Sequence, residues 1–209
     1  MSVDPGVLYR TCRERITALV SADGVDESLV VMATPEWNVH DVIAHLSGIA
    51  EDAVSGNMEG VTSDPWTAAQ VERGRGRSLS DLIDQWTTLS PLMEAVFSSP
   101  EGTPRLNGVF DVHTHEADLR TALGLAAEVP ADFLGWAADL FRRSFAAAVN
   151  KAGLPEVTLD ISDFEWFRGR LGRRTEAEVR AYPWPTDPTP YLEPFFIFGR
   201  AAHSLGERA

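Results

Sequence analysis

The stretch Asp111-Val112-His113-Thr114-His115-Glu116-Ala117-Asp118-Leu119-Arg120-Thr121-Ala122-Leu123-Gly124 packs two histidines and three carboxylates into a segment with helical character. On a helix, residues four apart share a face. Asp111 and His115 can therefore point at one ion, with Asp118 a turn beyond His115. His113 lies about 200° round the helix from Asp111 and falls outside that site. Glu116 is expected to face solvent. Gly124 suits the position just past the helix end, where a left-handed backbone is needed.

Working outward, Thr103-Pro104 reads as the start of this helix, and Ser98-Ser99-Pro100-Glu101-Gly102 as the loop before it. Upstream, Ser78 or Ser80 opens a helix whose stripe is Leu79, Leu82, Ile83, Trp86, Leu89, Met93 and Val96. Pro91 falls inside that stripe, where a missing N–H predicts a kink. Asn38 caps an earlier helix, with Asp41 at its third position. Val39, Val42, Ile43, Leu46, Ile49 and Ala50 form its apolar side, and His45 sits within that pattern. Gly56 and Gly60 end it, and a polar loop is expected to run to about residue 77. At the N-terminus, Asp4-Pro5 is a cap followed by Pro at the first helical position. Leu8, Cys12, Ile16 and Leu19 then recur at helical spacing, so Cys12 reads as a small core residue with no base beside it. Pro130 begins a fifth helix that ends near Gly153, with Phe133, Trp136, Ala137, Leu140, Phe141 and Ala148 inward.

Beyond Gly153 the texture changes. Val157-Thr158-Leu159-Asp160-Ile161 alternates and is β-branched, which predicts a short strand. Ser162 to Glu165 and Thr175 to Glu178 resemble capping boxes of two short helices. Residues 183–199 hold five prolines among Trp184, Tyr191, Phe195, Phe196 and Phe198, and read as an extended aromatic strap packed across the bundle. The expected architecture is mainly α. Residues 1–152 form an antiparallel up-and-down four-helix bundle, and 153–209 form a small mixed α/β region packing on it.

The totals narrow the function. The 209 residues carry a net charge of −13, so no basic field gathers phosphates and nucleic acid is not an expected partner. The single cysteine excludes a disulfide framework and a Cys-rich zinc site. With no signal-peptide pattern at Met1–Pro5 and no run of about 18 apolar residues, the expectation is a cytoplasmic protein off the membrane.

Three of the five histidines have a carboxylate four positions away: Asp41/His45, Asp111/His115 and His203/Glu207. In an acidic chain such pairs also arise by chance. The alternatives to a ligand role are a solvated charged face, or a buried histidine held by a carboxylate. His45 supplies what the spacing alone lacks, a third ligand from a second helix. Three protein ligands with an open fourth position is the pattern of catalytic zinc.

Trp37-Asn38-Val39-His40-Asp41-Val42-Ile43-Ala44-His45-Leu46 resembles the W-x-V-x-D-V-x-x-H-L opening of the mycothiol-dependent maleylpyruvate isomerase N-terminal domain, of the DinB-like metalloprotein superfamily. Asp111 to Gly124 resembles that family's second signature, E-x-x-x-H-x-x-D-x-x-x-A-L-G. The resemblance covers roughly residues 5–150. It implies a divalent metal, usually zinc, held by His45, Asp111 and His115 at the mouth of a four-helix bundle, with Asp118 supporting. The chain departs from the family at Asp111, where Glu is usual and one methylene longer. The implied activity is isomerisation or S-transfer on a small electrophile, with mycothiol or another low-molecular-weight thiol as cosubstrate. The family also uses an arginine from its C-terminal domain, for which Arg168, Arg173 and Arg200 are candidates. A non-catalytic metal-binding protein that binds a small ligand or partner is the alternative. Either a monomer or a homodimer fits.

Overall fold

Local capping chemistry starts most of the helices. The computed structural model describes residues 3–100 and 106–207. Helix α1 (Pro5–Val20) begins where the Asp4 carboxylate accepts from the backbone N–H groups of Gly6 and Val7. Helix α2 (Val39–Ser55) opens with a full capping box between Asn38 and Asp41, and closes at Gly56, whose φ of +80° is the left-handed conformation a side chain resists. Helix α3 (Asp64–Gly74) starts at Ser63-Asp64-Pro65. Helix α4 (Leu79–Ser98) is capped by Ser78 and continues through Pro91. Helix α5 (Asn107–Ala122) carries the opening stretch and gives way at Leu123–Gly124. The expected start at Thr103-Pro104 lies outside the described residues. Helices α6 (Ala131–Lys151), α7 (Asp163–Arg170), α8 (Glu176–Arg180) and α9 (Leu192–Phe195) complete the order. The described residues are 61% helical and form no strand.

Contacts between elements divide the chain into two units, residues 1–126 and 127–209. In the first, α1 packs on α4 and α5, and α2 packs on α4 and α5, so these four helices close a ring. Helix α3 lies against α2. Tyr9, Cys12, Ile16, Val42, Ile43, Trp86, Val112 and Leu119 fill the interior. Burying each large apolar side chain contributes on the order of 1.5–3 kcal/mol. In the second unit α6 packs on α7 and α9, around Phe133, Phe145, Phe167 and Phe195.

Four expectations change. Residues 64–74 are helix, not polar loop. By contacts the division falls after residue 126 and not after 152, because α6 spends its apolar face on α7 and α9. The mixed α/β region is helical and irregular. Leu159 is buried, with Thr158 and Asp160 exposed, so the alternation at 157–161 is real. No second strand lies beside it to form a ladder. The 183–199 strap is not wholly extended, since a 3-10 turn at Thr189–Tyr191 runs into α9. Its aromatics meet Phe145, Trp166 and Tyr182 of their own unit.

Candidate metal centre

His45 of α2 and Asp111 and His115 of α5 converge, each offering a ligand atom within 4.8 Å of the others. The His45 Nε2 is 3.4 Å from one Asp111 carboxylate oxygen, and the His115 Nε2 is 3.6 Å from the other. Four-coordinate ions with bonds of about 2.1 Å set their ligand atoms about 3.4 Å apart. The donor set and its spacing therefore fit one metal ion. The Asp side chain, though shorter than Glu, reaches both imidazoles. Asp111 is 32% exposed at its side chain, against 5% and 4% for the histidines, so the group meets solvent on the Asp111 side.

A hydrogen bond orients the His45 ring. The His45 Nδ1 lies 2.8 Å from the Gln70 side-chain oxygen, and the Gln70 amide nitrogen donates at 2.8 Å to Asp52. Because that oxygen can only accept, the contact calls for a hydrogen on Nδ1, and in a neutral ring it leaves the Nε2 lone pair toward Asp111 and His115. The His45–Gln70 hydrogen bond is the outer-shell pattern that orients a metal-ligating imidazole. The His115 Nδ1 lies 3.3 Å from the fully buried Asp118 carboxylate, an ion-pair distance without hydrogen-bond geometry. Trp37 walls the group, its ring 5.1 Å from that of His45 and 6.0 Å from that of His115. Backbone bonds hold this wall in place: the Trp37 N–H donates to Thr34, and the Trp37 carbonyl accepts from Val31 at 2.9 Å.

The other singled-out residues sort plainly. His113 is buried elsewhere, with Nδ1 2.8 Å from the Val109 carbonyl. Burial, aided by the Arg15 charge, drives its pKa down to about 3 against the pull of that hydrogen bond. His40 contacts the Arg77 carbonyl at 2.9 Å, and His203 is exposed. Glu116 is buried and does not face solvent. It takes both arms of Arg15, at 2.7 and 2.6 Å, and the Cys12 thiol at 3.1 Å. A carboxylate thus stands beside Cys12 after all. Burial and that negative charge push the thiol pKa well up, which makes it a poor nucleophile.

The three arginines belong to the second unit. Arg168 is wholly buried and paired with Glu207, which also accepts from Arg174 at 3.0 Å. Arg173 donates to the Leu171 carbonyl at 3.0 Å. Arg200 pairs with Glu176 and with Glu193. Glu207, four positions from His203 in the sequence, is held by Arg168 and Arg174.

Gln70, Asp52 and Trp37 escaped the sequence reading as site residues. Trp37 sits inside the quoted motif. Ser63-Asp64-Pro65 is a legible helix start and could have revealed α3. Nothing in local spacing links Gln70 to His45.

Fold and site together define a mainly helical protein with a buried His/Asp/His group able to hold a metal ion. No helix among the described residues is long and apolar enough to cross a membrane. Comparison with family models, curated proteins and solved structures finds no match in any of the three.

Proposed function

We propose that this chain is a divalent-metal-dependent enzyme using a low-molecular-weight thiol, mycothiol foremost, for isomerisation or S-transfer on a small electrophile. The observation that carries it is the His45/Asp111/His115 group, in which the Gln70 side-chain oxygen turns the His45 Nε2 toward Asp111 and His115. The motifs at 37–46 and 111–124 add the resemblance to the thiol-dependent isomerases. In this reading α1, α2, α4 and α5 are the antiparallel four-helix bundle of that superfamily, and zinc is the metal. A divalent ion held there lowers the pKa of a coordinated thiol, making a nucleophile at neutral pH. The chain's own part is to hold the ligands, turn the His45 ring through Gln70, and wall the group with Trp37. Cys12, buried and protonated, takes no covalent role.

A second reading, metal binding without turnover, is favoured by one observation: Arg168 and Arg200 are both engaged by carboxylates. One set of measurements separates the two. Purified protein is analysed for metal, the thiol is titrated by calorimetry with and without chelator, and turnover is sought on a panel of electrophiles. Metal with chelator-sensitive thiol binding and turnover supports the enzyme. Metal without thiol-dependent turnover supports the second reading. A metal-free wild type, or full metal retention in both His45→Ala and His115→Ala, refutes both.

A further inference from the structure

We propose that Gln70, its amide held in one orientation by Asp52, is the positioning residue that selects the metal-ligating form of His45. The proposal rests on the metal reading of the site and extends it to a helix that supplies no ligand.

A glutamine amide can turn either end toward a histidine. With its oxygen toward Nδ1, the hydrogen sits on Nδ1 and the lone pair on Nε2. With its nitrogen toward Nδ1, the arrangement reverses, and Nε2 carries a hydrogen that blocks ligation. Gln70 itself cannot choose. Asp52 chooses for it, because both carboxylate oxygens only accept. One oxygen takes the Gln70 nitrogen at 2.8 Å. The other takes Asn57 at 2.9 Å and Arg73 at 2.7 Å. Burial pulls the Asp52 pKa up, but the hydrogen bonds from Gln70, Asn57 and Arg73 outweigh it and hold the group below the usual range. Gln70 and Asp52 are both buried, so water does not compete for the bond between them.

Gly48 and Gly74 let α3 approach closely enough for this. A Cβ at Gly48 would stand 2.7 Å from the Gln70 Cβ, and one at Gly74 would stand 2.3 Å from the Ala44 Cβ. Gln70 reaches His45 because both positions lack that carbon.

The test reads the His45 tautomer directly, by two-bond nitrogen–proton correlation on protein labelled with ¹⁵N-histidine. It is recorded metal-free, at a pH well above the usual imidazole range. Zinc affinity is measured in parallel by competition with a chromophoric chelator. Wild type is expected to show hydrogen on Nδ1. Asp52→Asn changes one atom two residues removed in the relay. Asn57 and Arg73 keep the side-chain oxygen, so the new amide nitrogen faces Gln70 and turns it over. His45 is then expected to carry its hydrogen on Nε2, with zinc bound roughly 10- to 100-fold more weakly, the usual effect of losing an outer-shell partner. Gln70→Leu, close in volume, is expected to give a mixture of tautomers and a similar loss, and keeps the test open if Asp52→Asn misfolds. A merely structural role would leave the tautomer unmoved. Hydrogen on Nε2 in the wild type, or an unchanged tautomer in folded variants, would overturn the proposal. Since the tautomer is read without metal, it judges the relay even if the wild type takes up no zinc, an outcome that refutes the proposed function instead.

Discussion

Gly74→Ala is a small substitution that should be felt strongly. A Cβ built at Gly74 lies 2.3 Å from the Ala44 Cβ and 3.1 Å from the Ala44 Cα. Carbon atoms rest at about 3.5–4.0 Å, so one helix must retreat by more than about 1 Å. Neither atom can rotate away, since each is bonded directly to a backbone. Overpacking of this kind costs typically about 1–3 kcal/mol. Opposing it, Ala exceeds Gly in helix propensity by at most about 1 kcal/mol, and by less here because Gly74 is the last residue of α3. The clash therefore wins, and a net loss of about 1–2 kcal/mol is expected in urea unfolding. The same retreat draws Gln70 away from His45, so zinc affinity should fall with stability. The double substitution Ala44→Gly with Gly74→Ala moves the methyl from α2 to α3 and removes the shorter of the two close contacts, leaving the one to the Cα at 3.1 Å. A double-mutant cycle should then give a favourable coupling of about 1–3 kcal/mol. A neutral or stabilising Gly74→Ala, or additive behaviour in the cycle, would refute the close approach of α3 to α2.

Other outcomes follow from single features. Asp111→Ala should weaken zinc binding at least about tenfold in chelator competition, since it removes one of three protein ligands. Unchanged affinity would remove Asp111 from the ligand set. Cys12 should react with a thiol reagent only as fast as the first unit opens, so labelling rates should rise steeply with urea; rapid labelling of native protein would contradict its burial. Burial pulls the Glu165 pKa up, but Arg174 and Tyr182 hold it below its ordinary value of 4.5. The unfolded state then binds the proton more readily, so this stabilisation is present above about pH 4.5 and is lost as pH falls through the lower folded value. Acid titration of unfolding should show Glu165→Gln flattening that loss. A profile identical to wild type below pH 4.5 would exclude the contribution.

Much of this was legible because it is local. A cap needs an acceptor and an N–H two or three residues on, and Asp4, Asn38, Ser78, Ser162 and Thr175 all do what their neighbours imply. Asp111 and His115 share a face because a helix has a fixed pitch, and His113 falls outside for the same reason. His45 stood out as a polar ring within an apolar stripe. What spacing could not supply was which faces meet. Glu116 looks like a solvated residue until α1 brings Arg15 against it. The alternation at 157–161 shows which side chains are buried, but a strand needs a neighbour that only the folded chain could provide or withhold. Helix α6 carries an apolar stripe that would suit any helical partner, and tertiary packing assigned it to α7 and α9. The sequence by itself therefore determined most of the longer helices, their caps and the Asp111/His115 pair, all products of short-range geometry. Only the tertiary structure decided that His45 completes the group and that Gln70 and Asp52 turn its ring. Those links join residues 18 to 66 positions apart, where contact depends on packing and not on pitch.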